Sequence, residues 1–230
     1  MSGKSVFVTR KDGRERVCAQ VVIAALLAAV AGACTESDRG TTGPSTYTAP
    51  LQVQSAQPDG IAKNHRTHLS GDQEVFTPAT PDGPTPADSN AQGQAIFTIA
   101  TDSLSFDYKL IASNIENITQ GHIHCGPAGT NGPIIVWLYP SPTATAALPG
   151  GAGRHDGVLA EGTIVSGTPL HVRTVPSSAA CPGGVSSFAD VLAKIRANNT
   201  YVNVHTSDGV LPANTGPGDF PGGEVRGQLQ

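Results

Sequence analysis

The sequence predicts an all-β fold, an antiparallel Greek-key-like β-sandwich or barrel of about eight strands with one short covering helix. Apolar and polar residues alternate with a period of two in several runs after residue 67, as expected for strands with one buried face. Segments rich in Pro and Gly separate these runs, and such residues favour turns and edges. Eight antiparallel strands bury one face and protect their edges by forming a sandwich or closing into a barrel.

The clearest strand runs from Leu104 to Leu110, where Leu104, Phe106, Tyr108 and Leu110 alternate with polar residues. The other predicted strands share this short alternating pattern and are bounded by turn residues. They are His68 to Phe76, Gln92 to Ala100, Ile118 to Cys125, Pro133 to Tyr139, Val158 to Val165, Thr200 to Thr206 and Gly223 to Leu229.

One segment has helical spacing. Its apolar residues are Phe188, Val191, Leu192 and Ile195. Ser186 or Ser187 can cap its first turn, and the cations near its end suit the helix dipole. We expect a short helix that covers an open end or edge of the sheet.

The first 33 residues have the features of a signal peptide. A basic leader precedes an uncharged apolar run from Val21 to Ala33, which is too short for a stable membrane span but matches a secretory core. Cys34 directly follows Ala-Gly-Ala, which resembles a bacterial lipoprotein processing site where the cysteine is lipidated. Ala31 stands where such sites usually carry Leu, so ordinary signal-peptidase cleavage and an uncleaved anchor remain alternatives. We therefore expect an exported protein, either a membrane-anchored lipoprotein or a secreted one.

Removing this leader leaves nine Lys plus Arg against sixteen Asp plus Glu, a net charge of −7. That balance argues against binding to nucleic acid or to an anionic membrane surface, so membrane contact is expected only through a lipid at Cys34. Residues 34–66 are rich in small and polar types and predict a flexible tether. Residues 67–230 have the size of one β-domain.

Two histidines at alternating positions, His122 and His124, directly precede a Gly-rich turn. In a strand they share one face, and we expect that face to be open while Ile123 points to the core. A second motif, Tyr201 to Thr206, places Asn203 and His205 on one face of a later strand.

If the two histidine strands are neighbours, three imidazoles form one outward patch that could bind copper or zinc. Asn203, Glu224 and Arg226 are expected beside this patch, and Glu224 could orient an imidazole or pair with a cation. The alternative is that these histidines only hydrogen-bond carbonyls or neighbouring side chains.

Cys125 and Cys181 are the two cysteines of the predicted domain. Because an exported compartment is oxidising, we expect them to form a disulfide. The alternative, in which Cys125 is a soft metal ligand, conflicts with strand alternation, which turns it away from both histidines.

Five sequence blocks, in order, resemble the CHRD domain, a module first named from chordin. They are HLSGDQEV at 68–75, Gly-x-Ala-x-Phe at 93–97, GHIHCGPAGTNGPIIVWL at 121–138, YVNVHT at 201–206 and PGGEVRGQL at 221–229. This sequence departs from the family pattern in two ways. The family's Glu-Val-Pro-Pro opening is Glu-Val-Phe-Thr here, and residues 141–156 and 207–220 are insertions.

The resemblance implies an extracytoplasmic binding or structural module, and it brings no general reaction with it. We therefore expect a non-catalytic module with an unknown extracytoplasmic protein or ligand as partner and no cofactor. The alternative is a copper or zinc protein, either a carrier or a dismutase-like redox enzyme. Hydrolytic catalysis has little support, because the sequence lacks a Gly-x-Ser-x-Gly elbow and a phosphate-cradling loop.

Overall fold

The computed structural model describes residues 63–78 and 80–230. The predicted signal peptide, Cys34 and residues 34–62 of the predicted tether lie outside the described residues. The described part contains eight strands, one α-helix and two short 3-10 helices at Gly71–Gln73 and Pro86–Asp88. The strands are β1 (Lys63–Ser70), β2 (Gln92–Ile99), β3 (Ser105–Glu116), β4 (Ile118–Cys125), β5 (Ile134–Tyr139), β6 (Arg154–Val165), β7 (Thr200–Thr206) and β8 (Val225–Gln228).

All eight strands belong to one antiparallel sheet with the order β5-β4-β7-β8-β1-β2-β3-β6. The two edge strands, β5 and β6, contact each other, so the sheet is almost closed. This confirms the predicted eight-stranded all-β fold and its barrel alternative. Among the described residues, no helix is long and apolar enough to cross a membrane.

The inner face of the sheet carries the apolar half of the alternating pattern. Phe106, Tyr108 and Leu110 of β3 are buried, whereas Leu104, which precedes the strand, is 57% exposed. The Phe97 and Phe106 rings meet edge to face at 5.6 Å. Aromatic contacts of this kind add to the stabilisation from burying apolar surface.

The single α-helix of the described residues, α1 (Phe188–Arg196), forms where the sequence predicted it. The Ser187 hydroxyl accepts a hydrogen bond from the Asp190 amide at 3.2 Å, and the Asp190 carboxylate accepts from the Ser187 amide at 2.9 Å. This capping box satisfies amides that the first turn leaves free. Phe188 stacks on Phe106 at 5.6 Å, so α1 packs directly on the core.

The first strand differs from its prediction of His68 to Phe76. β1 starts at Lys63, so residues 63–66 of the predicted tether pair with β2, and the chain leaves the strand at Ser70. Gly71–Gln73 then forms a 3-10 turn whose Gly71 backbone lies against the Pro86 carbonyl too closely for any side chain. A polar stretch can continue a strand when its partner supplies the ladder, which local composition does not reveal.

β4 and β7 are buried on both faces, which overturns the expected open face for the histidines. Within β7 every residue is buried. The inner face, which includes Ile123 and Val202, packs on the core. Three segments cover the other face: residues 74–78, the β4–β5 loop 126–133 and the β7–β8 loop 207–224. Alternation assigns a residue to a face, but it does not reveal which loops fold over that face.

Candidate metal centre

The three histidines lie together because β4 pairs with β7. His122 is opposite Asn203 and His124 is opposite Tyr201 in the ladder, while His205 pairs with Gln120, two residues along the ladder from the His122 pair. One nitrogen from each imidazole can be chosen such that all three lie within 4.8 Å of one another. The side chains are buried, with exposed fractions of 0% for His122, 7% for His124 and 6% for His205.

Backbone carbonyls orient two of the imidazoles. The His124 Nδ1 donates to the Gly132 carbonyl at 2.8 Å, and the His205 Nδ1 donates to the Pro221 carbonyl at 2.8 Å. A carbonyl only accepts, so each neutral ring carries its proton on Nδ1 and a lone pair on Nε2. Metal-binding histidines in proteins are commonly held by such an outer hydrogen bond.

The lone pairs converge on a small volume. The His205 Nε2 lies 3.3 Å from the His122 Nδ1 and 3.0 Å from the Asn203 Oδ1. The Nε2 atoms of His122 and His124 are buried without any partner. His122 can supply one proton to this group, so acceptor sites outnumber protons. Buried acceptors without donors are costly, and a bound cation would satisfy them.

Burial keeps these imidazoles neutral. It lowers the pKa of His122 to about 2, of His124 to about 3 and of His205 to about 4 from the ordinary value of 6.5. Repulsion between the rings adds to the effect for His122 and His124. Neutral imidazole is the form that binds metal, so near neutral pH no proton competes for the lone pairs.

The donor set and its spacing fit copper or zinc. Two nitrogens bound to one tetrahedral zinc at about 2.0–2.1 Å lie about 3.3–3.4 Å apart. The His122 Nδ1 and His205 Nε2 already have this separation, at 3.3 Å. Three imidazoles are borderline ligands that suit these two metals, and the Asn203 Oδ1 offers a fourth position.

Aromatic rings hold the imidazoles in place. His122 meets Trp137 edge to face with ring centroids 4.2 Å apart, and His124 stacks on Tyr201 at 4.7 Å with an interplanar angle of 11°. Arg173 lies over the outer side of Trp137 at 5.9 Å. Rings packed in this way limit rotation of the imidazoles, so the site is largely preformed.

Arg226 contacts the β4–β5 loop and not the histidines beside which the sequence predicted it. Its guanidinium donates to the Asn131 Oδ1 at 3.0 Å and to the carbonyls of Thr130 at 2.9 Å and Pro127 at 3.3 Å. It also lies 3.4 Å from the centre of the Tyr201 ring. Arg226 therefore fastens the loop whose Gly132 carbonyl orients His124.

Glu224 likewise binds loop groups rather than an imidazole. It is fully buried and accepts from the Ser89 hydroxyl at 2.5 Å, the Thr206 hydroxyl at 2.6 Å and the Gly218 amide at 2.9 Å. These bonds hold the β7–β8 loop, whose Pro221 carbonyl orients His205. Of the three residues predicted beside the histidines, Asn203 alone lies within hydrogen-bonding distance of an imidazole nitrogen, that of His205.

Sequence reasoning missed Glu74, Trp137 and the two orienting carbonyls. Burial raises the pKa of Glu74 to about 7, against the lowering effects of the Arg226 charge and a hydrogen bond from Asn203. Glu74 and Trp137 fall inside blocks that resemble the family pattern. A backbone carbonyl leaves no trace in residue type, so no local signal could identify those of Gly132 and Pro221.

The predicted disulfide is present. Cys125 and Cys181 are bonded with a Cα separation of 5.4 Å, and both are fully buried. Strand alternation turns Cys125 away from the imidazoles, as expected, so it is not available as a ligand. The bond connects the end of β4, next to His124, to the loop that precedes α1.

Comparison with known proteins identifies the family. The model of the CHRD domain family matches residues 65–229, which is most of the chain and includes every residue of the histidine cluster. CHRD domains are modules of extracellular type. A search of the curated proteins and a search of the solved structures each found no significant match. The chain therefore belongs to the CHRD domain family.

Proposed function

We propose that this protein is an extracytoplasmic, non-catalytic module that binds one copper or zinc ion through His122, His124 and His205. The observation that carries the proposal is the convergence of three neutral imidazoles, one nitrogen of each lying within 4.8 Å of the others. Hydrogen bonds to carbonyls orient two of the rings for this purpose. The Asn203 Oδ1 completes the set of donors.

Binding without catalysis fits the burial of the site better than redox turnover. His122 is fully buried, and Trp137, at 8% exposure, packs against it. A dismutase-like enzyme needs an open coordination position that small substrates reach quickly. A buried ligand set suits a carrier or a metal-stabilised display module, whose ion exchanges slowly.

The alternative is a module whose histidines serve only packing and hydrogen bonding. The contacts of His124 with Gly132 and of His205 with Pro221 would then be the reason for those two side chains. They leave the Nε2 of His124 buried without a partner, which this alternative does not explain. A metal titration separates the two functions.

Metal binding can be followed by the fluorescence of Trp137, the single tryptophan of the chain. Its ring centroid lies 4.2 Å from that of His122, so Cu²⁺ in the site is expected to quench it stoichiometrically. We expect isothermal titration of the metal-free protein to give one site with micromolar or tighter affinity for Cu²⁺ or Zn²⁺. Loss of one ligand, in His122→Ala or His205→Ala, is expected to weaken binding about 100-fold or more.

His68→Ala is the matched control, because His68 is exposed on β1 and lies outside the cluster. It should bind the metal as the wild-type protein does. Circular dichroism of each variant checks that the fold is retained. Uptake weaker than micromolar in the wild type, or uptake in both cluster variants that equals that of the wild type, would contradict the proposal.

We also propose that the module is displayed from a lipid anchor at Cys34. The support is sequence-based: the apolar run from Val21 to Ala33 ends at Ala-Gly-Ala-Cys. Lipidation of one cysteine places the domain at a membrane surface without a spanning helix. Mass spectrometry of the processed protein should detect a diacylglyceryl group on Cys34, and Cys34→Ser should move the protein to the soluble fraction. A processed N-terminus at another residue, without lipid, would contradict the anchor.

A further inference from the structure

The β7–β8 loop contains a buried carboxylate that is only half satisfied. Asp219 is 2% exposed. Its Oδ2 accepts from the Thr215 amide at 3.0 Å and from the Thr215 hydroxyl at 2.9 Å. Its Oδ1 is buried without a hydrogen-bond partner. Glu224 in the same loop, by contrast, has both oxygens paired.

A second unpaired oxygen belongs to the same turn. The Oδ1 of Asn214 is also buried without a hydrogen-bond partner. Asn214 directly precedes Thr215, whose amide donates a hydrogen bond to Asp219. Carboxylate and carboxamide oxygens only accept hydrogen bonds. Two acceptors in one turn therefore lack a positive partner.

No cationic side chain supplies that partner among the described residues. The ion pairs found there are Lys109 with Glu161 and Arg154 with Asp156, both exposed. Water molecules could donate to these oxygens, but they would leave the carboxylate charge uncompensated. A buried charge without a counter-charge is strongly unfavourable, whereas a cation removes both deficits.

We propose that Asn214 and Asp219 provide side-chain oxygens to a calcium ion. Calcium prefers carboxylate and amide oxygens and accepts irregular coordination completed by water. Thr215 and Pro217 of the same turn are exposed, so the turn lies at the protein surface. With few protein ligands, the dissociation constant is expected in the range of about 10⁻⁴–10⁻³ M that is typical of extracellular modules. This site is separate from the histidine cluster and does not depend on the proposed function.

Thermal unfolding of the full chain with calcium tests the site. In 10 mM CaCl₂ the melting temperature is expected to rise by about 3 °C or more over a KCl solution of equal ionic strength. Asp219→Asn should abolish this rise, and Asn214→Ala should reduce it at least by half. Asp208→Asn is the matched control and should keep the rise, because Asp208 caps a different turn through the Val210 amide.

Isothermal titration with CaCl₂ gives a second readout if Asp219→Asn fails to fold. Binding to the wild type together with weakened binding to Asn214→Ala then supports the site. His124→Ala should retain the calcium response, which separates this site from the metal centre. Absence of a calcium-specific shift in the wild type overturns the proposal, and so does a full shift in Asn214→Ala.

Discussion

Acidification from pH 6.5 to pH 5.5 is expected to lower the free energy of unfolding by about 2 kcal/mol, the net of a loss of about 3 kcal/mol from three imidazoles and a gain of about 1 kcal/mol from Glu74. The folded pKa values of His122, His124 and His205 lie at about 2, 3 and 4, below the ordinary value of 6.5. Below pH 6.5 the unfolded chain therefore binds three protons that the folded chain does not. Each proton lowers stability by about 1.4 kcal/mol per pH unit.

Glu74 opposes this trend. Its folded pKa of about 7 lies above the ordinary value of 4.5, so the folded protein keeps a proton that the unfolded chain has lost. That contribution is fully present below pH 4.5 and is lost as the pH rises to 7. Near pH 5 the net difference is about two protons, or about 3 kcal/mol per pH unit. Such a slope removes a stability of 5–15 kcal/mol within a few pH units, so we expect acid unfolding.

Urea denaturation at pH 7, 6 and 5, with a chelator present to remove metal ions, measures this slope. Replacing one imidazole, as in His122→Leu, should lower the net slope by about half, because two net protons become one. The slope is the readout, so a change in overall stability does not obscure it. His68→Leu, at an exposed position, is the control. A free energy of unfolding that stays constant from pH 7 to pH 5 would contradict this prediction. It would mean that the imidazoles bind protons as readily in the folded protein as in the unfolded chain.

Removing the disulfide is expected to destabilise the domain by about 4 kcal/mol. The Cys125–Cys181 bond closes a loop with a sequence separation of 56. For a loop of that length, the lost chain entropy of the unfolded state corresponds to about 4 kcal/mol. For a domain of this size the melting temperature should fall by about 8–16 °C. Both sulfur atoms are in the core, so the fold must open before a reductant reaches them.

The double variant Cys125→Ser with Cys181→Ser, compared with the wild type in chemical denaturation, measures this effect. Reductant should lower the stability of the wild type towards that of the variant, and it should leave the variant unchanged. Because the bond holds the end of β4 next to His124, we also expect weaker metal binding in the variant. A loss below about 1 kcal/mol would contradict the entropic account.

Local pattern was sufficient for most elements of this fold. The predicted bounds of β4 and β7 match the structure residue for residue, and β2 and β5 differ by one residue at one end. Alternation and turn residues act within a few positions, so they can be identified from neighbours in sequence. α1 was predicted for the same reason, from its spacing and its Ser187 cap.

β1 was predicted poorly, because its first residues, Lys63 to Arg66, are polar and extend the strand only by pairing with β2. The prediction that the histidine face is exposed was also wrong. Besides the adjacent β4–β5 loop, the two segments that cover it lie about 50 residues before His122 and up to 100 residues after it. Nothing within the histidine motif indicates that they fold over it.

The sequence by itself determined which residues form strands, which side chains share a face and which two cysteines can pair. These properties follow from the two-residue period of a strand and from the small number of cysteines in the domain. The tertiary structure alone decided that the imidazoles are buried, that carbonyls hold two of them with Nε2 free, and that Asp219 has an unpaired oxygen. Burial and hydrogen bonding depend on contacts between distant parts of the chain, and a linear pattern carries no record of those contacts.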